Sequence, residues 1–184
     1  MRVRLSGFGR YARLMAGNLQ ALLLKSTAPS LREAVLPTVP LAAGSGLVLL
    51  PLTDEIVASM VPTAVDGAPV EGFYELTREL AEWACRHSMH GDVAYLHTEF
   101  FGGGGFHAAV AWRGGTVAWG PMFTATSAGE AEDHYSVVAD HEDLAVNAML
   151  RWWGVQRGDQ VDEFAAAGLS RHRWTEEWAA LAAR

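Results

Sequence analysis

The chain has 184 residues, half of them apolar and 19% charged, with one cysteine and a formal net charge of −7. That length can bury a core without disulfides or structural metal, and the composition excludes wholesale disorder. The lone Cys85 excludes a disulfide framework and a multi-cysteine zinc finger, and the acidic balance argues against a nucleic-acid partner.

The charge is uneven. Residues 1–32 hold six basic side chains and no acidic one, an arm that offsets the acidic remainder of the chain. Arg10 and Arg13 interrupt any apolar run near the start, so no secretory signal is expected. Residues 34–53 are uncharged, yet Pro37, Pro40 and Pro51 with Gly44 and Gly46 break any spanning helix. No membrane contact is expected, and the expected compartment is cytoplasmic.

In chain order, Tyr11, Leu14, Met15, Asn18, Leu19, Leu22 and Leu23 recur at helical spacing, which predicts a helix over 10–25. A short strand is expected at Leu47–Leu50. Asp54–Met60 reads as a helix with Thr53 as N-cap and two acids in its first turn. Residues 61–72 read as a loop. Phe73–His87 carries an apolar stripe and predicts a second helix, stopped near Gly91. The period then changes to two, which predicts strands over 92–100, 106–113 and 116–120, with Gly114-Gly115 as a tight hairpin turn. A long acidic connection follows Pro121, with 124–141 expected as a loop bordering the sheet. Helices are expected at Leu144–Trp153, Asp162–Ala167 and Thr175–Ala183, with Gly168 as a stop between the last two. The expected architecture is a single α+β domain over residues 1–184. Its antiparallel sheet has about four strands, with a central meander over 92–120 packed against several helices.

Candidate functional residues follow from the register of that meander. With Phe100 opposite Phe106, one face carries Ala94, Leu96, Thr98, Phe100, Phe106, Ala108, Val110 and Trp112, and is the core side. The other face carries Tyr95, His97 and Glu99 beside His107, Ala109 and Ala111, with Glu99 across from His107. Two imidazoles and a carboxylate would then gather near the Gly loop. Such a set suits acid/base work or a metal. Strand-borne His-x-Glu spacing is too weak to support a metal, and neither metal nor cofactor is expected. Glu99, His107 and His97 are therefore the candidate catalytic set. Tyr95 on the same face, and Gly103 and Gly104 in the loop, are candidate binding positions. The loop joins strand to strand and lacks a lysine, so it does not match a phosphate cradle.

The segment Tyr95–Trp112 has an acidic residue, an aromatic pair and a Gly-Gly-x-Gly loop, followed by a strand ending in Trp. Together with the tail Asp162–Trp178, it resembles a group of small uncharacterised bacterial proteins with no assigned activity. In that pattern Gln often stands at the position of His107, which implies a hydrogen-bonding role there rather than a metal-ligating one.

Three further features complete the reading. Cys85, Arg86 and His87 are too close in sequence to face one another on a helix, so Cys85 reads as a core filler. Asp133-His134 and Asp140-His141 recur seven residues apart and read as a solvated acidic loop before a helix. Arg171, His172 and Arg173, next to Trp174, form a basic turn able to clamp an anion. The leading expectation is a non-enzymatic, protein-binding module of the immunity or accessory type, its partner another protein or a second copy of the chain. The alternative is a small enzyme using the Glu/His patch for acid/base or metal-assisted hydrolysis. A helix covering the alanine-lined face favours the first, and an open cavity ending at Glu99 the second.

Overall fold

The computed structural model describes residues 16–25, 36–101, 104–127 and 134–183. The fold is α+β, built on one seven-stranded sheet rather than the four strands expected from the sequence. The strands are β1 (Ala16–Lys25), β2 (Val39–Pro40), β3 (Leu47–Pro51), β4 (Val93–Phe101), β5 (Gly104–Arg113), β6 (Thr116–Ala125) and β7 (Ser136–Val137), in the order β2-β3-β1-β4-β5-β6-β7. All neighbours are antiparallel except β6 and β7, which makes the sheet mixed. The helices are α1 (Asp54–Met60), α2 (Arg78–His87), α3 (Ala145–Trp152), α4 (Glu163–Ala167) and α5 (Thr175–Ala182).

Both sheet faces are covered. Leu19, Ala21 and Leu23 of β1, with Ala94 and Leu96 of β4, pack beneath α3, α4 and α5. Leu22 and Leu24, with Val93, Tyr95 and Val110, pack beneath α2 and the segment leading into it. We call these the C-terminal and N-terminal faces, after the helices that cover them.

This double cover explains the first correction. Residues 16–25 form a strand, not the second half of a helix, and residues 10–15 lie outside the described part. A central strand buried on both sides reads as a continuous apolar run, and Leu22-Leu23-Leu24 fits that as well as it fits a helix.

The second correction concerns the hairpin register. Phe100 pairs with Gly105 and Phe101 with Gly104, so Glu99 stands opposite Phe106, and Thr98 opposite His107. This is one residue away from the expected pairing. His97 and Glu99 therefore share the N-terminal face with Phe106 and Ala108, while His107 turns to the C-terminal face beside Thr98. No Glu99–His107 pair exists. Gly105 makes this register possible: a Cβ there would strike the Glu99 carbonyl and lie 2.7 Å from the Phe100 Cβ.

At the other hairpin the two-residue turn forms as expected. Gly114 and Gly115 have φ of 58° and 78°, the left-handed values that such a turn needs. Trp112 pairs with Val117 and is buried. Register irregularities around Ala111 then bring Trp119 opposite Ala111, on the C-terminal face, where it is partly buried against Trp152.

β6 does not stop at Pro121 but runs on to Ala125. Proline is tolerated because it falls at the irregularity, where Val110 has no ladder partner on β6. The expected long loop is thus shortened from its start. Residues 128–133, including Asp133, lie outside the described part.

α2 begins at Arg78, five residues later than expected; Phe73 and Leu76 are buried in the turn that precedes it. Thr53 caps α1 through Ile56 N–H at 3.3 Å, and Gly168 closes α4 at a φ of 84°.

Candidate functional site

The Gly-rich end of β4 and β5 is where the C-terminal face opens. Thr126 Oγ1 accepts from Gly105 N–H at 2.9 Å and holds β6 against β5. Thr124 Oγ1 accepts from Ala145 N–H at 2.8 Å, which anchors the start of α3 to the sheet. Asn147, buried in α3, then sets α4. Its amide donates to the His141 carbonyl at 2.7 Å, and its oxygen accepts from Phe164 N–H at 2.8 Å. Asp162 caps α4 by accepting from Ala165 N–H at 2.8 Å. These bonds hold Phe164 over the end of the hairpin.

Beneath Phe164 lies a cavity of about 270 Å³. Phe100, Leu144 and Phe164 supply apolar wall; Thr98, His107 and Asp162 supply polar wall. Thr98 Oγ1 and His107 Nδ1 are both shut off from solvent and have no hydrogen-bond partner. Leaving such an atom unpaired costs about 1–3 kcal/mol, so the folded chain carries an unmet capacity to donate and accept here. Burial, with His141 and His97 nearby, pushes the His107 pKa down to about 3. Its imidazole is neutral across the physiological range, with one nitrogen donating and the other accepting. It can orient a ligand, but it is a weak base and a poor proton reservoir near pH 7.

A second cavity, of about 190 Å³, shares Thr98, Phe100 and Phe164 with the first and adds Ser170, His172 and Arg173. The C-terminal segment is brought here by β1. On one side β1 pairs with β4 along most of its length, whereas on the other β3 reaches only from Ala21 onward. Trp174 bridges to Asn18 on that vacated side, and Thr175 Oγ1 clamps the β1 backbone by accepting from Gln20 N–H at 2.9 Å. Arg173 consequently lies over the Phe100 ring, 5.7 Å from its centroid. Phe100 can occupy this place because its β1 partner is Gly17; a Cβ there would come within 2.5 Å of the ring.

The sequence-derived candidates therefore divide. His107 and Gly104 line the first cavity, and His172 and Arg173 the second. Arg171 is engaged structurally: it donates to the Gly168 and Pro40 carbonyls at 3.0 and 2.8 Å and lies over Trp178. Gly103 lies outside the described residues. His97, Glu99 and Tyr95 project from the N-terminal face. His97 is buried edge-on to Phe106, and burial lowers its pKa to about 4. Glu99 is exposed. Tyr95 is fully buried; its hydroxyl accepts from Gln20 at 3.2 Å, and desolvation raises its pKa. The candidate catalytic trio does not converge on one point. Among the described residues, no group of three His, Cys, Asp or Glu side chains is placed to hold a metal.

Sequence reasoning missed Thr98, Phe164 and Asn147. Asn147 left a trace, since it is the one polar residue in the run Ala145–Leu150. A wider groove of about 570 Å³ beside Gln20 is bounded by Asp54, Glu55, Glu75 and Glu176; none of its lining side chains holds a buried, unpartnered polar atom. No helix among the described residues is long and apolar enough to cross a membrane. No family model, no curated protein and no solved structure matches this chain.

Proposed function

We propose that this is a non-enzymatic binding protein, and that the cavity under Phe164 receives an apolar group carrying a hydrogen-bonding function. The supporting observation is the pair Thr98 Oγ1 and His107 Nδ1, buried and unpartnered in two residues that line a largely apolar cavity. Few, well-placed polar atoms among aromatic walls are the usual chemistry of a small-ligand site. The neutral state of His107 favours holding a ligand over moving its protons. The separation of Glu99 from His107 removes the pair on which an acid/base enzyme would rest.

Thermal unfolding with benzamide, benzyl alcohol and benzoate as probes tests this reading. A probe at ten times its Kd stabilises by about 1.4 kcal/mol, a rise in Tm of roughly 3–6 °C for a chain of this size. The rise should vanish in a Thr98→Val/His107→Leu double variant. No rise with any probe would overturn the assignment of the cavity, and conversion of a bound probe would overturn the non-catalytic part.

A protein partner is the second reading, favoured by the outer edge of β6. Among the described residues, β7 covers only Thr124 and Ala125 of that edge, and Val117 is 54% exposed. An uncovered apolar edge is a template for strand addition, including by a second copy. Sedimentation of the wild type and Val117→Lys tests the copy: a dimer lost in the variant supports it, and a monomer in both removes it.

A further inference from the structure

Resting on the reading of the first cavity as a ligand site, we infer that the group it receives is a protonated amine on an apolar body, with Asp162 as its counter-charge. Three observations carry this. Asp162 lines the cavity, and among the described residues its carboxylate accepts only from neutral groups, the Ala165 N–H at 2.8 Å and the Asn147 amide at 3.4 Å. No ion pair among the described residues involves it. The cavity is also lined by the Phe100 and Phe164 rings, and the negative faces of such rings attract cations. The third observation is His107. Among the described residues neither of its ring nitrogens has a hydrogen-bond partner, and only Nδ1 is shut off from solvent, so Nε2 stays open on a residue that lines the cavity.

All three ask for the same chemistry. An ammonium group brings donors, no acceptor and a positive charge. Asp162 accepts from it in a charge-assisted hydrogen bond. The carboxylate is already fixed by its cap on α4 and by Asn147, so binding bears little cost of ordering it. Burial keeps the His107 ring uncharged, and a neutral ring does not repel a cation. A donor arriving at Nε2 selects the tautomer that carries its proton on Nδ1. The apolar body of the amine packs against Phe100, Leu144 and Phe164. A carboxylate ligand would instead meet Asp162 as a like charge. The other lining side chain able to ionise is His141, whose backbone carbonyl accepts from Asn147. Arg173 lines the second cavity and not the first.

The test is calorimetric titration of the full chain at pH 7.5 with a pair of matched shape, benzylamine and benzyl alcohol. The amine should bind about tenfold or more tightly than the alcohol. Asp162→Asn should erase that difference while leaving alcohol affinity within about twofold, because asparagine keeps the side-chain oxygen that caps α4. Raising the salt concentration should weaken the amine and spare the alcohol. The Thr98→Val/His107→Leu variant, which keeps Asp162, should bind both compounds less tightly than wild type. Equal affinity of amine and alcohol for the wild type would overturn the inference while leaving the first cavity a ligand site. Failure of both compounds to bind at about 10 mM, the range of a weak small-ligand complex, would overturn both readings. A preference for the amine that survives Asp162→Asn, or amine binding unchanged in the double variant, would place the cation elsewhere, for instance in the acidic groove beside Gln20, and would also overturn the inference.

Discussion

Thr98 and His107 stand directly opposite each other on β4 and β5, and each carries a buried polar atom without a hydrogen-bond partner. One such atom is a local flaw; two in facing residues of adjacent strands that line one cavity come at an expense in stability, and the proposed ligand site rests on them.

That expense is measurable. Thr98→Val removes the unpaired hydroxyl and keeps the shape, so urea unfolding should show a stability equal to wild type or up to about 1 kcal/mol higher. A loss of more than about 1 kcal/mol would mean that the hydroxyl is satisfied in solution.

Asn147 should behave in the opposite way. It is 1% exposed, and its side chain supports the His141 carbonyl and the Phe164 amide. Asn147→Leu strands both groups and should cost about 2–4 kcal/mol in chemical denaturation. It should also release Phe164 and weaken probe binding in the first cavity. Wild-type stability in this variant would show that α4 is held mainly by its apolar contacts.

Gly105→Ala tests the register. The added methyl meets the Glu99 carbonyl and the Phe100 Cβ, an overpacking worth about 1–3 kcal/mol of destabilisation. Gly114→Ala adds a methyl into open space but at a φ of 58°, so any loss there reports backbone conformation and not a clash. If Gly105→Ala were neutral, the pairing of Phe100 with Gly105 would be wrong.

Acid should destabilise the fold in a defined window. The unfolded chain protonates His97 and His107 near 6.5, but the folded chain resists until about 4 and 3. The unfolded state thus binds more protons as the pH falls below 6.5, and stability declines by up to about 1.4 kcal/mol per pH unit for each histidine. Asp92, held below the usual carboxylate range by Arg113, adds a loss at lower pH. A His97→Leu/His107→Leu variant should show a much flatter profile between pH 6.5 and 4. An unchanged slope would mean that the two rings ionise normally in the folded chain.

Where local chemistry dictates conformation, the sequence was sufficient by itself. Gly114-Gly115 makes a two-residue turn because both positions need positive φ, Thr53 caps α1 because its hydroxyl reaches the Ile56 amide, and Gly168 ends α4 in the left-handed region. The tertiary structure decided everything that depended on which face a residue meets. Helices cover both sides of the sheet, so the contrast between polar and apolar faces that specifies a register is weak in β4 and β5. The pairing turns instead on the space around Gly105, and it moves His107 away from Glu99 and toward Thr98. In the same way, the Leu22–Leu24 run is compatible with helix or strand until neighbours lie on both of its sides. The meeting of Arg173 with Phe100 needs Trp174 to bridge to Asn18 on the side of β1 that β3 leaves open. No local pattern encodes that contact, because it joins segments that only the assembled sheet brings together.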